Sequence, residues 1–242
     1  MPSVVWGRTP QEAYDNPYEY EAQDQFVREA KSLLKHMNTV FQKYSMRFHR
    51  DDHSIKKAVW MLQLDALDSL KDALDALVNK KHRVASKLFR GIVETLDLAA
   101  YFHMNSDKSN PQLEKWYNDE VIPNSLYRDF IKEIKGTEAK EEKKDYYSTL
   151  SKIIHRTYKV LLYGYGLGAG DMLWHDGYKN SGLLILPQTI SMYFAVLADL
   201  ILNFLREASV RGILSEKEVK EAIVESLETK TVPRRFSLRL RK

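Results

Sequence analysis

His82-Arg83-Val84-Ala85-Ser86-Lys87-Leu88-Phe89-Arg90-Gly91-Ile92-Val93-Glu94-Thr95-Leu96-Asp97-Leu98-Ala99-Ala100-Tyr101-Phe102-His103-Met104 is the stretch on which the reading of the fold turns. At 100° per residue, Val84, Leu88, Phe89, Ile92, Val93, Leu96, Ala99 and Phe102 cover about half of a helical circumference. Arg90, Glu94, Asp97 and Tyr101 recur at intervals of four, three and four on the opposite side. Two readings stand for that polar stripe. It is a solvent face with weak i,i+4 pairing, or a second helix or a substrate covers it. In the second case Arg90 and Glu94 need each other or a third partner.

The same periodicity extends outward. Upstream, Val59, Leu62, Ala66, Leu70, Leu74 and Leu77 mark a helix over about 54–79, and Phe26 to Tyr44 mark one over about 18–46. The short link at 79–82 makes the central two an antiparallel helical hairpin. Downstream, short helices are expected at about 111–120 and 124–135, the second with Asn124 or Ser125 as N-cap and Gly136 as its end. Residues 137–145 carry seven charges and read as a solvated helix start or a loop. A helix follows from Tyr146 to Tyr163. Four alternating glycines at 164–170 preclude a regular helix there. Met172–Tyr178 and Leu183–Leu186 are expected to pair as a small β-hairpin. A helix over about 188–208 and a last one to Leu227, opened by the capping box Ser215-Glu216-Lys217-Glu218, complete the pattern.

The fold class is therefore all-α: an up-and-down bundle of about six to eight helices with one β-hairpin insertion near 172–186. Residues 1–17, with three prolines, form an irregular arm, 18–228 a single helical domain, and 229–242 a flexible basic tail. The chain has 242 residues, 44% of them apolar and 29% charged, which suits a sizeable core rather than disorder.

Charge is unevenly placed. The net charge is +4, but Lys230, Arg234, Arg235, Arg239, Arg241 and Lys242 face no acid in the tail. Residues 1–228 hold 31 basic and 33 acidic groups, a net of −2. Arg234, Arg235, Arg239 and Arg241, interleaved with Phe236 and leucines, are candidate nucleic-acid contacts. The absence of cysteine excludes thiolate metal sites, Cys nucleophiles and disulfides, and points to a reducing, cytoplasmic setting. The start lacks a signal-peptide pattern. Asp199, Asn203 and Arg206 argue against a membrane span at 188–208.

Chemistry-bearing groups are few. Ser151 and His155 are one turn apart at the border of the apolar face of the 146–163 helix. There a histidine either packs on one hydrogen bond or carries a proton in a cleft. His49, Asp51, Asp52 and His53 share a loop without metal-site spacing, and no metal or cofactor is expected. Trp174-His175-Asp176 is no dyad on a strand, since sequence neighbours face opposite ways, although a small ligand near it is one option. The glycines at 164–170 lack the strand–turn–helix setting of a nucleotide fingerprint.

Leu88-Phe89-Arg90-Gly91-Ile92-Val93-Glu94, followed by Tyr147-Ser148-Thr149-Leu150-Ser151-Lys152-Ile153-Ile154-His155, resembles a bacterial family of helical domains of unknown function linked to the HEPN superfamily. Those domains carry Arg-x3-Glu on one helix and Leu-Ser-x3-His on a later one. The resemblance covers about residues 55–205. It implies a helical bundle, often a homodimer, with RNA or a protein partner such as an antitoxin, in toxin–antitoxin or phage-defence systems. Many HEPN proteins are metal-independent endoribonucleases. By that resemblance Arg90, Glu94, Ser151 and His155 are the candidate catalytic residues, His155 taking a ribose 2′-hydroxyl proton and Arg90 holding the phosphate. The chain departs from the active nucleases, which have an Arg four to six residues before the His. Ser148, Thr149 and Leu150 stand before His155, and Arg156 follows it. Arg47 and His53 have the spacing but lie in a loop outside the matching helix. Two functions compete: a non-enzymatic helical protein acting through a partner or dimer, and an RNA-binding protein or ribonuclease.

Overall fold

The computed structural model describes residues 18–45, 47–79, 81–155, 165–167, 173–175 and 187–228. At its centre lies the expected helical hairpin, α2 (Ile55–Val78) and α3 (His82–His103), preceded by α1 (Tyr18–Ser45). Ser54 caps α2, its Oγ accepting from the Lys57 N–H at 3.2 Å. Asp52 orders the cap by accepting from the Ser54 N–H at 2.8 Å. The turn out of α2 is held by the Lys81 N–H, which donates to Ala76 O at 2.7 Å. These bonds satisfy backbone groups that a helix end leaves without intrahelical partners.

The apolar stripes meet as the periodicity requires. Leu67, Leu70 and Leu74 of α2 and Phe89, Ile92, Leu96 and Phe102 of α3 are all buried. Each large side chain removed from water stabilises the fold by about 2 kcal/mol or more. α6 (Pro187–Val210) packs on both central helices, and α1 lies across α2 and α6. Phe41 meets Phe204 at 5.8 Å, and Phe26 meets Phe194 edge-on at 5.7 Å. α7 (Glu216–Ser226) starts at the predicted capping box, with both reciprocal bonds formed, and rests on α1. Beyond its end, Glu228 is gripped by Arg28 at 2.7 Å, and the Glu228 N–H donates to the buried Glu29 carboxylate at 2.8 Å. The fold is thus an all-α bundle, and no helix among the described residues is long and apolar enough to cross a membrane.

After the short α4 (Asn110–Tyr117) comes α5 (Asn124–Ile154), which is not straight. Gly136 sits at φ 88°, ψ 177°, a conformation that glycine alone adopts without penalty. The chain folds back there. In the first arm, 124–135, Asn124 touches Glu94 and Phe130 touches Tyr101, so it runs parallel to α3. In the second arm, 137–154, Tyr147 touches Asp97 and Ser151 touches Arg90, so it runs antiparallel. Lys140 bonds Asp129 across the fold at 2.6 Å. Gly136 therefore breaks the helix as expected, and residues 137–145 are the start of the next one.

The hairpin expected from Met172–Tyr178 and Leu183–Leu186 is not borne out. Among the described residues the strands are β1 (Tyr165–Leu167) and β2 (Leu173–His175), paired antiparallel with Gly166 opposite Trp174. Gly166, one of the alternating glycines read as a break before the hairpin, lies in β1. The arm 1–17, the tail 229–242, and the expected continuations over 156–163 and 176–186 lie outside the described residues.

Candidate functional site

The polar stripe of α3 is covered. Both arms of α5 lie along it, and each polar side chain of the stripe finds a partner there or close by. Arg90 donates from Nε to Glu94 Oε1 at 2.7 Å and from Nη1 to Ser151 Oγ at 3.2 Å. Glu94 Oε1 also accepts from Asn124 Nδ2 at 2.7 Å, and the Tyr127 hydroxyl donates to Asn124 Oδ1 at 2.7 Å. The side chains of Arg90 and Glu94 keep 23% and 26% of their exposure, so the pair is shielded without being sealed. One carboxylate thus links α3 to the first arm directly and to the second arm through Arg90.

One turn further along, Asp97 accepts from Lys143 Nζ at 2.8 Å and from the Tyr147 hydroxyl at 2.7 Å. Burial pushes the Asp97 carboxyl above the usual carboxylate range, against the pull of the Lys143 ammonium. Burial and then the Asp97 charge also raise the Tyr147 phenol, which keeps its proton and donates it. At the far end of the stripe, the Tyr101 hydroxyl donates to Lys108 O at 2.9 Å. The arrangement joins three helical segments by charge-assisted hydrogen bonds in a partly dry seam.

His155 stands apart from this seam. Its N–H donates to Ser151 O at 2.8 Å, one residue past the end of α5, and the residue is exposed. Its imidazole makes no hydrogen bond or ion pair with the described residues. Arg90, Glu94 and Ser151 are therefore in direct contact, whereas His155 is adjacent along the backbone and faces water. The four tail arginines lie outside the described residues. Of the loop that held two histidines and two aspartates, Asp52 serves the α2 cap and His53 stacks on Tyr117 at 4.5 Å. Among the described residues no three His, Asp or Glu side chains are placed to hold a metal ion together.

Sequence reasoning missed four participants: Asn124, Tyr127, Lys143 and Tyr147. A signal for the last two exists. Lys143, Tyr147 and Ser151 recur every four residues, the complement of the stripe on α3. Asn124 and Tyr127 carry no comparable signal, because Asn124 meets Glu94 across 30 positions and Tyr127 joins only through Asn124.

No protein-family model matches this chain, and neither a curated protein nor a solved structure matches it.

Proposed function

We propose that this protein is a HEPN-like, non-enzymatic helical module that works by holding a partner, and that Arg90, Glu94 and Ser151 are its structural clasp. The observation that carries this reading is the engagement of Arg90. Two of its donor nitrogens are committed to Glu94 and Ser151, and a carboxylate at 2.7 Å neutralises its charge. A guanidinium so placed is a poor clamp for a phosphate, whose charge has to be met by donors free to receive it. The near-neutral body of the chain also favours a protein partner over nucleic acid as the ligand of the described surface. A homodimer, an antitoxin-like partner and a cytoplasmic toxin–antitoxin or phage-defence setting belong to this proposal through the resemblance.

One observation favours a second reading, a metal-independent endoribonuclease using His155 and Arg90. His155 is exposed, and its backbone is bonded to the residue that Arg90 touches. The two readings separate in an RNA-cleavage assay run in chelator on the wild-type chain and on His155→Ala. Absence of cleavage by both supports the binding module. Cleavage by the wild type that disappears in His155→Ala overturns it in favour of the nuclease.

A further inference from the structure

At the end of the bundle farther from Arg90, three cavities of about 630, 400 and 510 Å³ adjoin one another. The first and second share Ile55 and Asn105 in their linings, and the second and third share Gly212 and Ile213. Together they make one groove. It runs from α4, past the start of α2 and the C-terminal end of α3, to the turn between α6 and α7. His103, in the lining of the middle cavity, is 13 residues from Arg90 on the same helix, hence about 20 Å along the axis. The groove is separate from the clasp. Each cavity alone has small-ligand size, but three in a row suit an extended chain.

The middle of the groove is apolar and cationic at once. Phe48, Val59, Trp60 and Ile213 line a slot in which the Phe48 and Trp60 rings are 5.5 Å apart. Lys56 and Arg211 stand in the same lining, and no Asp or Glu does. Lys56 is exposed and makes no hydrogen bond or ion pair with the described residues. Glu207 holds Arg211 from Nε and Nη2 through one carboxylate oxygen, at 3.1 and 2.8 Å, which leaves Nη1 without a partner among the described residues. Burial first, and the charge of Arg211 second, hold His103 below its ordinary pKa, so it adds no charge near pH 7. Residues 47–57, which lead into the slot, carry four basic and two acidic groups, a net of +2 within a body whose net is −2. An apolar group with a negative charge beside it complements this middle.

The ends of the groove carry the other sign. Glu114 lines the cavity at α4, and Glu216 and Glu218 line the one at α7. RNA, with a phosphate at every step, meets carboxylates at both ends. A peptide can confine its acids to the middle.

The geometry points to a docking site for an extended acidic segment of a partner protein: one large apolar side chain enters the slot beside Phe48 and Trp60, and a neighbouring carboxylate faces Lys56 and Arg211. This rests on the reading of the chain as a module that holds a partner, and it names where and by what chemistry the partner is held. A single apolar anchor in a desolvated slot with a charge at its rim is how such segments gain affinity and register.

The test uses the full ¹⁵N-labelled chain and defined peptides of about ten residues, each with one central Phe or Leu between Asp or Glu. One control set has Lys in place of the acids, a second has Ala in place of the Phe or Leu, and decauridylate is the RNA probe. Binding is read from the indole N–H resonance of Trp60, assigned by its loss in Trp60→Phe. The expected result is a saturable shift with acidic peptides, which both control sets weaken by about tenfold or more. Lys56→Glu is expected to weaken binding by about tenfold without moving Tm, whereas Lys87→Glu, an equal change of charge on an exposed residue outside the groove, leaves it unchanged. The docking site is ruled out if no acidic peptide shifts the resonance, if either control set binds equally well, if decauridylate binds more tightly than every peptide, or if the two lysine variants weaken binding alike. A chain that leaves RNA intact and yet binds no peptide loses this docking site and keeps the partner-holding reading. Cleavage that disappears in His155→Ala overturns that reading whatever the peptides do.

Discussion

The seam between α3 and α5 and the first half of α2 handle buried polarity in opposite ways. In the seam, Arg90, Glu94, Asp97, Tyr147 and Ser151 are bonded to one another or to near neighbours. In α2, the Trp60 N–H and the whole amide of Gln63 have no partner among the described residues. A satisfied network fixes how segments sit together, whereas an unsatisfied one is a standing cost that something outside the chain can relieve. The difference teaches that the most conspicuous polar motif of a chain can be its framework, while its unpaired polar groups sit elsewhere under plainer residues.

Breaking the seam is expected to have the largest effect. Arg90→Ala leaves Glu94 half-shielded without its cation and cuts the tie to Ser151, at a cost of about 3 kcal/mol in chemical denaturation. A loss below about 1 kcal/mol would show that the clasp holds nothing. The opposite sign is expected inside α2, where Gln63→Leu adds about 1–2 kcal/mol by removing unpaired buried atoms at similar volume. If it destabilises instead, the amide has a partner in solution and the contrast collapses.

A subtler test lies in pH. The folded-state pKa of Asp97 is raised above its ordinary value of 3.8 by burial, with Lys143 and the Tyr147 hydroxyl opposing and Glu207 adding to the rise. The folded chain therefore binds more protons than the unfolded one between 3.8 and that raised pKa. The contribution of Asp97 to stability grows as pH falls through this window and is flat below it. The difference between wild type and Asp97→Asn should follow that curve in urea titrations. A difference that shrinks as pH falls would mean that Lys143 outweighs burial. The smallest effect is expected from His155→Ala, within about 0.5 kcal/mol of wild type, because the residue is exposed and outside the seam.

Much of this architecture is legible in the chain. The apolar spacing of α2 and α3, the Ser215–Glu218 box and the break at Gly136 follow from local rules, and local rules are what a sequence displays. The stripe on α3 is legible as a stripe, but its fate is not. Whether Arg90 faces water or a helix depends on where a segment 61 positions away returns, and that depends on the reversal at Gly136. Alternating glycines at 164–170 speak against a helix without saying which neighbours pair, so 173–175 is extended as expected but pairs with 165–167 ahead of it. Gln63 was invisible for a different reason. One polar residue inside an apolar face reads as noise until the packed helices show that none of the described residues answers it.

The reversal at Gly136 also sets how the bundle can come apart. Glu94 meets the start of the first arm through Asn124 and the end of the second through Arg90 and Ser151, so the same few bonds fasten both ends of residues 124–151. Neither arm can lift from α3 for long while the other stays docked. The segment should therefore open as one cooperative unit, its amides exchanging with deuterium together and ahead of those in α2 and α3. A helical hairpin fastened at its open end behaves like a clasp knife held shut at the tip, with the Asp97 bonds as a second catch along the blade.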